Sequence, residues 1–124
     1  MVQLKEMEAI FNPDGITVAW LNRDYLYDMN GRAFAFVRNS AVYLYSARQI
    51  GWFKNGYFRD AYGDAVAYIR GCKGGPMPPL PHLPPLPPLP SLAPLPPLPP
   101  LPFLPPLPTF NWSGLSWEQF VSWE

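Results

Sequence analysis

Residues 51–59 read GWFKNGYFR, and sixteen positions earlier residues 35–43 read AFVRNSAVY. In both stretches a small residue, an aromatic, a bulky apolar residue and a base follow in order, and a turn comes next. Extending the step of sixteen in both directions gives four units across residues 9–72: AIFNPDGITVAWLNRD, YLYDMNGRAFAFVRNS, AVYLYSARQIGWFKNG and YFRDAYGDAVAYIRGC. One column is small (Ala19, Ala35, Gly51, Ala67), the next aromatic (Trp20, Phe36, Trp52, Tyr68), the next bulky and apolar (Leu21, Val37, Phe53, Ile69). A repeat of this kind decides the architecture before any single residue does.

Each unit reads as two short strands. Aromatic and β-branched residues alternate with turn chemistry: Asp14-Gly15, Asn30-Gly31 and Tyr62-Gly63-Asp64 inside the units, Asn22-Arg23-Asp24, Arg38-Asn39-Ser40 and Lys54-Asn55-Gly56 between them. The third unit has Ser46-Ala47-Arg48 where the others have glycine, which predicts a wider or strained turn. Eight antiparallel strands in four hairpins leave two open edges unless the last strand pairs with the first. The expected fold is therefore all-β, a shallow barrel closed with pseudo-fourfold symmetry. Small side chains suit its crowded axis, so the Ala/Gly and Leu/Val/Phe/Ile columns are expected inside. Strict alternation puts Val18, Trp20 and Asn22 outside. Four outward aromatics need a cover or a partner.

The rest of the chain is a different material. Of 19 prolines only Pro13 precedes Pro76, and no Lys, Arg, Asp or Glu lies between Lys73 and Glu118. Leucine falls at every third position from Leu80 to Leu107. Proline excludes helix and central strand. What remains is polyproline II, whose three residues per turn align all ten leucines on one stripe. Three uses are open: a spacer, a ligand for aromatic-lined grooves, or a stripe packed on aromatics of its own barrel or of neighbouring copies. Lys73-Gly74-Gly75-Pro76 reads as the hinge. After the tail, Ser116 with Gln119 forms a capping-box pattern, with Leu115 placed to staple Phe120. A short helix through Trp117, Phe120 and Val121 toward Trp123 and Glu124 is expected, anchored on the barrel, another subunit or a membrane interface. The organisation is thus a lead-in at 1–8, the repeats at 9–72, the polyproline II tail at 73–110 and a Trp-rich segment at 111–124.

The units ending AWLNRD, AFVRNS, GWFKNG and AYIRGC, with the junction GCKGGPMPP and the Pro-Leu run, resemble the four-fold β-flower proteins, a bacterial family. The resemblance implies a symmetric shallow barrel and no established activity. A further likeness of such barrels to the tubby C-terminal fold is an analogy of fold alone, and no phosphoinositide-binding pattern matches here position by position.

Composition narrows the function classes. The nine Lys and Arg all lie in residues 1–73 beside seven acids, too even a balance to attract nucleic acid. Cys72 is the only cysteine, which excludes an internal disulfide or a thiolate cluster. Neither a signal sequence nor a proline-free apolar span is read, so the expected setting is cytoplasmic, with membrane association as a variant. Arg38, Lys54 and Arg70 share a column at one rim, where cations can hold a phosphate or an anionic headgroup, although solvated rim charges are the commoner case. Asp28 and Asp60 occupy equivalent columns and read as turn supports. His82 lies in the tail without an acid or nucleophile beside it, Cys72 lacks a base, and neither a phosphate loop nor zinc spacing is present, so no cofactor is expected. The aromatic column Trp20, Phe36, Trp52 and Tyr68 is a candidate binding surface, loosely similar to the aromatic cages of cell-wall-binding repeats. The functional expectation is a non-enzymatic binding or structural module that contacts a protein or itself through the Pro/Leu tail and exposed aromatics. The alternative is a lipid-associated module using the basic rim.

Overall fold

The computed structural model describes residues 7–122. The expected lead-in at residues 1–6 and the helix end at Trp123 and Glu124 lie outside the described residues. Eight strands, β1 Glu8–Phe11, β2 Thr17–Asn22, β3 Tyr25–Tyr27, β4 Ala33–Arg38, β5 Ala41–Leu44, β6 Gln49–Lys54, β7 Tyr57–Arg59 and β8 Ala65–Tyr68, follow one another in a closed antiparallel barrel. Neighbours in sequence pair throughout. The ring closes where β1 meets β8 at Phe11 and Tyr68, whose rings lie 5.3 Å apart.

Four register slips, one per repeat, shape the wall. They fall at Ile10/Phe11, Leu26/Tyr27, Val42/Tyr43 and Phe58/Arg59. A bulge sets two residues of one strand against one of its partner and interrupts the alternation of faces. The column Val18, Phe34, Ile50 and Val66 therefore joins the interior with the small column, and this corrects the expectation that Val18 faces out beside Trp20. The remaining alternation holds: Ala19, Leu21, Leu26, Ala35, Val42, Phe58 and Ala67 fill the axis, and the aromatic column stands on the outer wall.

The turns inside the units share one backbone form, with the residue-12 column accepting from the glycine N–H (2.9 Å from Gly15 to Asn12, 3.0 Å from Gly31 to Asp28). Side chains brace them: Asn12, Asp28 and Asp60 each accept from the N–H groups two and four residues ahead. The third turn is no wider, for Ala47 donates to Leu44 at 2.9 Å in the same way. It is strained instead, because Ala47 holds φ +70° where the others have glycine. A left-handed alanine costs about 1–2 kcal/mol, partly offset by glycine's larger freedom in the unfolded chain. Ala47→Gly is expected to raise the unfolding free energy by about 0.5–1 kcal/mol in urea titration.

The helix α1, Trp117–Val121, closes the barrel mouth at this turn end. Its capping box forms as the sequence predicts: Gln119 N–H donates to Ser116 Oγ (3.1 Å) and Ser116 N–H to Gln119 Oε1 (2.9 Å). Five residues of helix have little stability of their own. What holds them is burial: Trp117 and Phe120 enter the interior cluster, with Trp117 edge-on to Phe34 and Phe58. Gly51 makes the room, since a Cβ there would stand 2.7 Å from the Phe120 ring. Of the three anchors left open by the sequence, the described part of the segment uses its own barrel.

Candidate functional site

The polyproline tail makes a full circuit of the barrel wall. It leaves the fourth repeat at Gly74, passes the turn glycines Gly15, Gly31 and Gly63 in order, and returns to the fourth repeat at Trp112. Three crossings repeat one hydrogen bond. The N–H of His82 donates to the Gly15 carbonyl (2.9 Å), that of Ser91 to Gly31 (2.8 Å) and that of Thr109 to Gly63 (3.1 Å). Glycine is needed there for contact as well as for its positive φ, because a Cβ on Gly31 or Gly63 would meet the carbonyl oxygen of Leu89 or Leu107 at 2.2 Å.

Successive crossings are spaced by nine tail residues, His82, Ser91, Pro100 and Thr109, against sixteen in the barrel. Nine residues are three turns of polyproline II, about 28 Å. The sequence marks this period: the third residue of a Leu-Pro-x triplet is His82, Ser91 and Thr109 at three crossings instead of a second proline. Pro100 has no N–H, and the third repeat has Ala47 in place of glycine, so that crossing is made otherwise. Tyr43 donates its hydroxyl to the Pro100 carbonyl (2.9 Å), and Gln49 Oε1 accepts from the Phe103 N–H (2.9 Å).

Tyrosines fasten the remaining arc. The hydroxyls of Tyr45, Tyr57 and Tyr68 donate to the carbonyls of Pro94, Pro76 and Pro79. Polyproline II makes no internal hydrogen bonds, so its carbonyls are open to outside donors, and a neutral phenol suits them. Burial pushes Tyr43, Tyr45, Tyr57 and Tyr68 above the ordinary value of 10.0, and for Tyr57 a hydrogen bond with Cys72 adds to it. A folded value above the unfolded one gives stability that is complete below pH 10 and is lost as pH rises through the folded values. Ionisation of these four tyrosines, followed residue by residue, is expected to coincide with loss of β-structure above about pH 10; ionisation of all four with the barrel intact would contradict the fastening.

Both ends of the belt meet at Arg59. In the column that elsewhere holds Phe11, Tyr27 and Tyr43, this arginine is 6 % exposed and lies over the Tyr57 ring. Its Nη1 donates to the carbonyls of Gly63 (2.6 Å) and Thr109 (2.9 Å), and Nη2 to that of Gly74 (3.1 Å). One guanidinium thus ties the first residues of the circuit to the last. Burial lowers its proton affinity, opposed by Tyr57, Asp64 and Asp60.

The side chains of the belt divide by direction. From Leu80 to Leu98 the residue after each leucine, mostly proline, is half-buried against the barrel. The ten leucines point outward and are 80 to 95 % exposed. Of the three uses left open for the tail, packing on aromatics of its own barrel is the one seen, but it is reversed for the leucines, since prolines and carbonyls face the wall. A polyproline rod carries its contacts on three sides, and the rigid prolines fill the wall while leaving the leucines in water.

The predicted site residues fall as follows. Trp20, Phe36, Trp52 and Tyr68 are buried at 2, 1, 9 and 2 %, so the aromatic column is the seat of the belt and not an exposed surface. Arg38 and Arg70 are exposed on the outer wall, Arg38 over the ring of Phe36 in its own repeat and Arg70 over that of Phe11 across the closure of the ring. Lys54 lines a crevice under Pro105–Pro108, and Arg70 another beside Pro84 and Pro85. Asp28 supports its turn, and Asp60 additionally accepts from Ser113 Oγ, where the chain leaves the belt for the helix. His82 contributes its backbone to the belt, and Cys72 lies half-buried beside Gly56. Among the described residues no group of His, Cys, Asp and Glu is placed to hold a metal ion. No helix of the described residues is long and apolar enough to cross a membrane. The Arg59 clasp and the full circuit were missed by sequence reasoning, which left docking on the barrel as one of three open uses of the tail, although two signals mark them: the nine-residue period and a base in an otherwise aromatic column.

The profile of the 4-fold beta flower proteins matches residues 8–121, and the chain belongs to that family. The match runs through the belt to the end of α1, so these parts lie within the family's shared sequence and not beyond it. No curated protein and no solved structure matches the chain.

Proposed function

We propose that this 4-fold beta flower protein is a non-enzymatic binding or structural module, and that its contact surface is the outward leucine ring. The observation that carries this is the exposure of all ten belt leucines. Soluble monomers rarely expose a contiguous apolar patch beyond about 300–600 Å², and larger ones mark contact sites. The chain keeps its leucines in water at regular intervals although its own aromatics lie buried beneath the belt. The test replaces Leu83, Leu92 and Leu101 together with lysine. The variant is expected to keep the wild-type β-sheet spectrum and melting temperature and to lose retention on an apolar chromatography matrix and association with any partner; unchanged association would contradict the reading.

A second reading is contact with an anionic lipid surface. Lys54 and Arg70 in crevices at the belt's edge favour it, since cations beside apolar side chains suit headgroups. Arg38→Ala with Arg70→Ala is expected to weaken binding to phosphatidylglycerol vesicles and to flatten its salt dependence; unaltered binding removes this reading.

A further inference from the structure

We infer that the occupant of the leucine ring is a second copy of this chain, and that copies associate side by side through their belts into assemblies larger than a pair. The inference rests on the reading of the belt as a contact surface and adds the partner to it.

The course of the ring favours this occupant. The belt surrounds the barrel, so the leucines point away from the axis in every direction and recur in each of four sectors: Leu80 and Leu89 beside Gly15 and Gly31, Leu107 beside Gly63, and Leu98 between them. A partner that docks on one patch covers two or three leucines and leaves the others in water. A bilayer surface touches the wall along one arc, or must take in the whole turn end of the barrel to reach them all. That end carries exposed Asp14, Arg32 and Glu118, whose transfer into hydrocarbon is costly. Copies arranged around one another cover every sector and leave the charged turn end in water.

Two belts also match in period and charge. Leucine recurs every three residues at about 9.3 Å along the rod. A stripe of the same spacing interdigitates with it, and a second belt is such a stripe. The belt carries no charged side chain from Pro76 to Ser116, and the whole chain has a formal net charge of zero at pH 7. Neither contact repulsion nor a long-range field keeps copies apart.

Area then fixes the kind of assembly. Two or three leucines on each side bury roughly a few hundred Å², well below the about 1,000 Å² of a stable two-body interface. A single contact is weak. A copy held from several sectors at once gains from multivalency, so association is cooperative in concentration and does not stop at two.

The experiment is sedimentation of the full chain over a broad concentration range beside two variants with wild-type spectra and melting temperatures. One carries Leu83→Lys, Leu92→Lys, Leu101→Lys and Leu107→Lys, spread over the circuit. The other carries Leu92→Lys with Leu95→Lys on a single sector. Wild type is expected to rise past the dimer mass without a plateau, the four-site variant to remain monomeric at all concentrations, and the one-sector variant to form smaller assemblies at several-fold higher concentration. A wild-type chain that stays monomeric, or halts at a dimer, overturns the inference. If that monomer binds phosphatidylcholine–phosphatidylglycerol vesicles and the four-site variant does not, the belt is a contact surface for lipid, and only the choice of partner fails. If the four-site variant assembles like wild type, the leucines are not the contact, and both readings fail together.

Discussion

Trp117→Ala is expected to remove about 3–5 kcal/mol of stability, the range for emptying a large aromatic site in a packed core. The indole is 5 % exposed and sits at the barrel mouth against Phe34, Phe58 and Phe120. The barrel alone cannot refill that space. Its axis is lined by Ala19, Ala35 and Ala67, small residues chosen by the fourfold convergence of the wall, and Gly51 is cut away further to admit Phe120. Loss of the indole also loosens α1, which then keeps only Phe120 of its own side chains in the interior cluster. Urea denaturation measures the effect. Ser116→Ala, which removes the cap and leaves the plug, is expected to cost only about 1 kcal/mol; equal losses in the two variants would show that the plug contributes nothing beyond its cap.

Arg59→Ala is expected to cost about 3 kcal/mol, because three carbonyls lose a charge-assisted donor in a site that admits little water. The defect is directional. Gly74, Gly63 and Thr109 lie at the two ends of the circuit, so the belt opens at its seam while the crossings at Gly15 and Gly31 stay. Arg59→Lys is expected to recover less than half of the loss, since an ammonium cannot span three acceptors set out for a planar fork. Exchange of the Thr109 amide reads the seam directly: it should accelerate in Arg59→Ala far more than exchange of the Ser91 amide. Equal acceleration at both would mean that Arg59 stabilises the molecule globally and is no clasp.

The barrel was legible because it is written four times. A step of sixteen, turn glycines and three aligned columns leave one closed antiparallel solution, and each of these is local chemistry repeated in register. The inward face was legible only in part. Alternation assigns Ala19 and Trp20 correctly, but it fails at Val18, where a bulge sets two successive side chains on one face. Bulges leave no composition signal, since Val18, Phe34, Ile50 and Val66 are apolar and fit either face. The tail was legible as polyproline II and illegible as a belt for a different reason. Its ten leucine side chains dominate the pattern and stand 80 to 95 % exposed, whereas its contacts are made by proline rings, by carbonyls and by four scattered N–H groups. The signals that matter were the interruptions at His82, Ser91, Phe103 and Thr109, which look like noise in a leucine repeat and whose amides donate to the barrel. The column of cations was legible as a column. Its three members are spread around the outer wall by the same alternation that defines them, each in its own sector.

The central claim is that the tail is a fastened belt with its leucines turned to water, and amide hydrogen exchange resolved by residue tests it most directly. Between Pro76 and Thr109 the amides of His82, Ser91, Phe103 and Thr109 should be protected, while those of the ten leucines exchange at the rate of an open chain. Uniformly fast exchange at all of these positions would mean that the tail leaves the wall, and with it the ring of leucines would be lost.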